Sequence, residues 1–326
     1  MIDYAVIGTS FITEEFIRGA QLVKGLRLAC VCSRSREKGL EFARRFSCEN
    51  VVTSLEELAA FGVDAAYVAS PNSLHFEQSL FLLQSNINVL CEKPATVKSS
   101  EIKTLQALAK ERSLVYLEAM MFLYSPRRFL LQEAMGKVGK IRSAHFDFSQ
   151  YSSRYKAYLQ GQNPNIFNPK MSGGSLMDLG CYCICPTVYF WGRPRALSAF
   201  AVLLENGADS NGGALLDYGD FLASLTYSKT GQSRGVSQII GDLGTVTIDS
   251  ISQLTGIKLY LNTGECETIA GPLEKHITMS YEAQTFYDYL TAKNLDDKEY
   301  IKSQECSLLT AEVSEKIRQS AGIKLG

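Results

Sequence analysis

Two rhythms of apolar and polar positions run along this chain, and the change between them divides it. Up to about residue 119, short uninterrupted apolar runs alternate with helix-period segments. The runs lie at residues 4–8, 26–32, around Val51, at 64–69, 89–91 and 114–117. Continuous apolar runs this short, bounded by turn residues, predict strands covered on both faces. Between them, Phe16, Ile17 and Ala20 mark a first helix, and residues 36–46, 54–61, 76–84 and 100–110 mark four more. Ser54 with Glu57 three residues on predicts a capped helix start, and Ile102, Leu105 and Leu108 share one face. Strand and helix in regular alternation predict a doubly wound parallel sheet, here over residues 1–119.

From residue 120 the pattern is different. After a helix at 127–135, residues 141–148 alternate strictly, with Ala144, Phe146 and Phe148 opposite Ser143, His145 and Asp147, which predicts an antiparallel-type strand. Residues 151–172 form a long polar and aromatic loop of the kind that usually carries function. Gly173-Gly174-Ser175-Leu176-Met177-Asp178 then opens a helix running to about residue 190, with Asp178 and Tyr182 four apart on one face. Residues 195–269 are strand-rich: 196–204 are nearly all apolar, Phe221, Ala223, Leu225 and Tyr227 alternate, and a turn at 241–244 precedes a strand at 245–248. Helices at 281–292 and 303–320 close the chain. The expected fold class is α/β: an N-terminal Rossmann domain, 1–119, and a C-terminal α/β domain, 120–326, with an open, mostly antiparallel sheet.

At 326 residues the chain has room for two domains, and its 46% hydrophobic and 21% charged content suits packed cores. A net charge of −1 gives no general attraction for nucleic acid or an anionic membrane. No apolar run reaches membrane-spanning length and the N-terminus already reads as a strand, so a cytoplasmic protein is expected. The nine cysteines read as reduced and mostly buried. Cys181, Cys183 and Cys185 lack a second cysteine pair at zinc-finger spacing, and His75, His145 and His276 are scattered, so no metal site is expected.

Candidate chemistry collects at strand ends. In an open parallel sheet, ligands bind just beyond the carboxyl ends of the strands. Gly8-Thr9-Ser10-Phe11-Ile12-Thr13 stands where a dinucleotide fold carries its glycine fingerprint. Gly8 makes the tight turn, and Ser10 offers a small hydroxyl at a helix N-terminus, where a pyrophosphate would bind, with Phe11 and Ile12 beside it. The next strand ends in Ser33-Arg34-Ser35-Arg36 without the carboxylate that usually holds a ribose 2′-hydroxyl, and a serine beside an arginine suits a 2′-phosphate instead. Ser70-Pro71-Asn72 follow the strand at 64–69. His75, in the first turn of the next helix, either contacts the cofactor or caps and packs. Glu92-Lys93-Pro94 bring a carboxylate, an ammonium and a fixed φ to the end of the strand at 89–91.

Taken in order and spacing, four segments resemble the Gfo/Idh/MocA oxidoreductases: the N-terminal strand–glycine–helix unit, Ser70–His75, Val89–Pro94 and Gly173–Tyr182. The version with Tyr182, in Cys181-Tyr182-Cys183-Ile184, looks most like the dimeric dihydrodiol dehydrogenase and D-xylose dehydrogenase branch. Ser10 and Thr13 replace two fingerprint glycines, and Leu123 stands where related sequences often have arginine. The resemblance implies an NAD(P)-dependent dehydrogenase or reductase acting on CH–OH groups of a sugar, polyol or diol. Gly8, Ser10, Phe11, Ile12, Ser33, Arg34, Ser70, Pro71, Asn72, His75, Glu92 and Lys93 would bind the cofactor. NADP(H) is expected to be preferred, with NAD(H) as the alternative. Lys93, Tyr182 and Asp178 would be catalytic, with Lys93 and Tyr182 meeting at the nicotinamide. Free tyrosine titrates near pH 10, too high for an efficient base at neutrality, and a nearby ammonium favours its phenolate. Tyr182 is therefore the expected proton donor and acceptor, tuned by Lys93. Asp178 would bind a substrate hydroxyl or hold Lys93, and Glu92 would anchor its loop. Two rival functions sit on such a fold: a non-enzymatic cofactor-sensing regulator, and an NAD-dependent glycosidase. The apolar strand at 196–204 predicts burial on both faces, hence a homodimer through the C-terminal sheet. A cis Lys93–Pro94 bond is expected at the sharp turn.

Overall fold

In a computed structural model, which describes residues 1–325, the chain forms two compact units. The first comprises residues 1–124 and 274–308. Its parallel sheet holds β1 (Ile2–Ile7), β2 (Leu26–Cys32), β3 (Val51–Val52), β4 (Ala65–Val68), β5 (Asn88–Glu92) and β6 (Tyr116–Ala119), in the order β3-β2-β1-β4-β5-β6. The order reverses between β1 and β4, which is where an open sheet of this kind leaves its ligand crevice. Central β4 is buried throughout, as its unbroken apolar run predicts. The linking helices are α1 (Phe11–Ala20), α2 (Arg36–Arg44), α3 (Leu55–Phe61), α4 (His75–Gln84) and α5 (Ser99–Glu111). Ser54 accepts from the Glu57 amide at 3.1 Å, and Glu57 accepts from the Thr53 amide at 2.8 Å, so the expected cap of α3 is present.

After β6, a short α6 (Met121–Tyr124) completes this stretch of the unit. The second unit, residues 125–273 and 309–325 of the described chain, begins with α7 (Arg127–Lys137), β7 (Ile141–Ser149) and α8 (Tyr155–Leu159). The segment expected as a plain loop at 151–172 thus holds α8 and two 3₁₀ turns, Asn165–Phe167 and Pro169–Met171. A π-helical turn, Leu176–Gly180, leads into α9 (Cys181–Trp191). Strands β8 (Ala196–Leu203), β9 (Asp209–Asp217), β10 (Leu222–Ser228), β11 (Ser237–Gly241), β12 (Gly244–Ile248), β13 (Ile257–Leu261) and β14 (Cys266–Ala270) complete a sheet in the order β14-β13-β12-β11-β7-β10-β9-β8. All neighbours are antiparallel except β7 and β10. The alternation along β7 reports one covered face, which a mixed strand shares with an antiparallel one.

Strand β8 is covered by its own chain on one face only. Ala199 is buried, but Phe200 is 79% exposed and Val202 also faces solvent. Register puts Leu215 of β9 and Leu222 of β10 on that same open face, and both are exposed in the single chain. The helices of the chain cover one face of this end of the sheet, not two.

The last two helices are α10 (Lys275–Ala292) and α11 (Lys298–Ala321). Residues 274–308, assigned from the sequence pattern to the second domain, belong to the first unit. The reason is local: α10 packs on α1 where Gly19 lets the backbones close, since a Cβ there would lie 2.7 Å from the His276 carbonyl oxygen.

Candidate active site

The first cluster is assembled at the carboxyl edge of the parallel sheet. Gly8 has φ of +105°, and a Cβ on it would fall 2.5 Å from the Ala69 carbonyl oxygen, so glycine lets the ends of β1 and β4 approach at the point where strand order reverses. Ser10 follows as the N-cap of α1, solvent-exposed and with no side-chain cap on the helix amides. Its hydroxyl lies 3.2 Å from that of Thr13, which is fully buried where helix meets strand. Phe11 is 66% exposed with the Lys275 ammonium 5.7 Å from its ring centre, and Ile12 is half-buried. An uncapped helix N-terminus with small residues before it is the arrangement that takes a pyrophosphate.

At the end of β2, Ser33 is half-buried with its amide donating to the Val52 carbonyl at 3.0 Å, and Arg34 is exposed. Arg36, one turn on, donates to the Val51 carbonyl at 3.2 Å. No carboxylate occupies residues 31–36. Past β4, Ser70 donates to Gln78 at 2.7 Å, and Pro71 and Asn72 are half-buried in the turn ahead of α4.

His75 is a brace. Its ring is buried, with Nδ1 2.9 Å from the Pro94 carbonyl oxygen and Nε2 2.8 Å from that of Ser70. It ties together the loops that follow β4 and β5. Burial pushes the imidazole pKa down, against the pull of the two carbonyls.

The Lys93–Pro94 bond is cis. Glu92 is buried; it accepts from the Tyr67 hydroxyl and, at 3.2 Å, from the Lys93 amide. Burial raises its pKa, opposed by the Lys93 charge. Glu118 of β6, also buried, accepts from the Ala95 amide at 2.9 Å and from the Ser307 hydroxyl. Lys93 itself stands half-buried at the strand end.

The second cluster is built by the glycine-rich run before α9. Gly174 has φ of +143°, and a Cβ there would lie 2.0 Å from Oδ1 of Asp209. A Cβ on Gly173 would lie 2.3 Å from the Asn165 carbonyl oxygen. Both glycines are therefore required by close approach, which explains this stretch of the motif. Asp209 is fully buried and accepts from the Ser175 hydroxyl at 2.6 Å and the Leu176 amide at 2.7 Å, closing the entry to the π-helical turn. Asp178 lies within that turn, and π-helical turns recur at functional sites. Its carboxylate pairs with Lys229, a buried lysine that the sequence pattern did not single out. Tyr182, in the first turn of α9, is buried with its ring 5.4 Å from that of Phe148. Among the described residues, no group of three or more His, Cys, Asp or Glu side chains is placed to hold a metal.

Fold and site together define a two-domain oxidoreductase whose first domain binds a nicotinamide dinucleotide. Residues 2–120 match the family model described as an oxidoreductase family with an NAD-binding Rossmann fold, and residues 133–247 match the GFO/IDH/MocA C-terminal domain. The chain belongs to the GFO/IDH/MocA oxidoreductase family. It is 39% identical to the uncharacterized oxidoreductase YgjR of Escherichia coli, over 99% of this chain and 97% of that one. It is 37% identical to scyllo-inositol 2-dehydrogenase (NADP(+)) IolU of Bacillus subtilis, over 99% and 98%. A crystal structure of KijD10, a 3-ketoreductase from Actinomadura kijaniata, superposes with a TM-score of 0.84 over 98% of both chains at 24% identity, a likeness of fold.

Proposed function

We propose that this oxidoreductase is an NADP(H)-preferring dehydrogenase of polyols or sugars. The observation that carries the cofactor reading is the end of β2, where exposed Arg34 stands beside Ser33 with no carboxylate in residues 31–36. A 2′-phosphate would be held there by charge-assisted bonds, whereas NAD would leave the arginine without its ligand. The uncapped start of α1 would hold the pyrophosphate. The scyllo-inositol activity named for the Bacillus relative supports a polyol as substrate.

The cofactor, when bound, supplies the hydride acceptor. The chain's residues supply position and the path of the proton. In oxidation the substrate hydroxyl gives its proton to the Tyr182 oxygen as hydride leaves the same carbon, and the product is a carbonyl compound. In reduction Tyr182 returns the proton to the forming alkoxide. Lys93 favours the phenolate and donates to the substrate oxygen, and Asp178 accepts from a second substrate hydroxyl. Retention of Lys93, Asp178 and Tyr182 together favours this reading over a cofactor sensor, which needs none of them.

Two further properties complete the proposal. Phe200, Val202, Leu215 and Leu222 form one open apolar face, and a homodimer through this face would cover it. Nine free thiols, eight of them buried, suit a reducing compartment such as the cytoplasm. Among the described residues no helix is long and apolar enough to cross a membrane.

The test follows reduced-cofactor absorbance with NADP+ and NAD+ against inositols, aldoses and diols. Net turnover with a polyol is expected, product without net turnover would favour the glycosidase, and binding without chemistry the sensor. Tyr182→Phe should lower kcat by roughly 10²–10⁴-fold, the usual contribution of acid–base catalysis, with cofactor affinity unchanged. Near-normal turnover would remove Tyr182 from its role.

A further inference from the structure

Lys229 is an anomaly of placement. Ala223, Leu225 and Tyr227 of β10 face the core, and Lys229 continues their alternation one residue beyond the strand. An ammonium on the core face needs partners, because burying it unpaired is far costlier than burying an alkyl chain. Lys229 is 2% exposed, and its Nζ pairs with Oδ2 of Asp178. The ammonium lies 5.5 Å from the centre of the Phe167 ring. Burial raises the pKa of Asp209 and the Lys229 charge opposes it, while burial and then the Asp209 charge raise that of the Tyr227 phenol. These are the titratable groups that the π-helical turn, β9 and β10 bring to this lysine.

The two aspartates differ in what they can do. Asp209 is enclosed and already accepts from Ser175 and Leu176. The Asp178 side chain, held by Lys229, is 33% exposed, so solvent reaches it. Short acidic side chains at a helical turn otherwise swing toward nearby backbone amides. A cation fixed in the core prevents that and keeps the carboxylate in one orientation.

We propose that Lys229 is the positioning residue of the substrate site, clamping Asp178 as the acceptor for a hydroxyl of a polyol other than the one oxidised. The proposal rests on the reading of Asp178 as a substrate-binding group. A carboxylate pre-set in this way discriminates, because a substrate lacking the hydroxyl displaces water from Asp178 without replacing the hydrogen bond that the water made. The class favoured is therefore vicinal or ring polyols over simple secondary alcohols.

The test uses the full chain with NADP+ and the polyol of the panel that wild type oxidises fastest. It compares Lys229→Met, Lys229→Arg, Asp178→Asn and the double variant Asp178→Asn/Lys229→Met. Lys229→Met should lower kcat/KM by roughly 10–100-fold, the scale of a misplaced binding group, with cofactor affinity unchanged. The acid limb of its kcat/KM profile should move up by about one pH unit or more, because Asp178 has lost its cation. Lys229→Arg keeps the charge but moves the donors, so it should keep the wild-type acid limb while losing kcat/KM; this variant decides the matter if the methionine variant does not fold. The double variant should be no worse than Asp178→Asn. An unchanged acid limb and kcat/KM in Lys229→Met, or losses that simply add in the double variant, would overturn the positioning role. Wild-type activity in Asp178→Asn, or no polyol oxidised at all, would instead overturn the site reading, and this inference with it.

Discussion

Replacing Glu282 by methionine should stabilise the protein. Glu282 lies on α10 among Met279, Ala283 and Phe286, is 0% exposed, and neither carboxyl oxygen has a hydrogen-bond partner. Leaving a buried polar group unsatisfied costs about 1–3 kcal/mol. Methionine has a similar reach and no such requirement, so the gain should be about 1–3 kcal/mol at neutral pH. At roughly 2–4 °C per kcal/mol for a domain of 150–250 residues, the first unit should melt about 2–12 °C higher. The pH dependence gives a second reading. Burial raises the Glu282 pKa well above normal, the Glu92 charge raises it further, and Lys275 opposes. The native state therefore keeps a proton that the unfolded chain releases above about pH 4.3. Stability is full below that value and declines as pH rises toward the folded pKa, by up to about 1.4 kcal/mol per unit. Glu282→Gln removes this decline, although the raised Glu92 keeps its own share. Thermal unfolding of wild type, Glu282→Gln and Glu282→Met at half-unit steps from pH 5 to 8 measures both effects. The gap between the glutamine variant and wild type should widen with pH. Parallel curves, or a methionine variant that melts lower at pH 8, would show that the carboxyl has a stabilising partner and refute the reasoning.

Gly174→Ala should destabilise by about 2–5 kcal/mol, from positive-φ strain plus the clash with Asp209, seen as a lower melting temperature. Arg34→Ala should weaken NADP+ binding by about tenfold or more and leave NAD+ nearly unchanged in a fluorescence titration; equal effects on both would detach Arg34 from the 2′-phosphate. Phe200→Asp places a charge on the open face of β8, so light scattering should show a shift from dimer toward monomer at micromolar concentration, with an unchanged melting temperature for the monomer. A wild-type protein that is already monomeric there would remove that interface.

Much of the first unit was legible in the chain because its signals are local. Fully covered parallel strands read as short apolar runs, so the strand ends that carry Gly8, Ser33, Ser70 and Lys93 could be placed from position alone. The Asp178–Tyr182 spacing was local too. What stayed hidden depended on segments distant in sequence. That the loops after β4 and β5 close on the two nitrogens of His75 is written nowhere near His75 in the chain. Residues 274–308 join the first unit because Gly19 admits the α10 backbone, a fit that no pattern within α10 announces. The apolar run of β8 asks for cover on both faces, but periodicity cannot say which face the chain's own helices reach and which one, with Phe200 and Val202, they leave open. Lys229 is the intermediate case. It continues the alternation of Ala223, Leu225 and Tyr227, a local signal that none of the motifs drew attention to. Only the tertiary fold, by bringing β9, β10 and the π-helical turn together, supplied the carboxylate that makes burial of that charge tolerable.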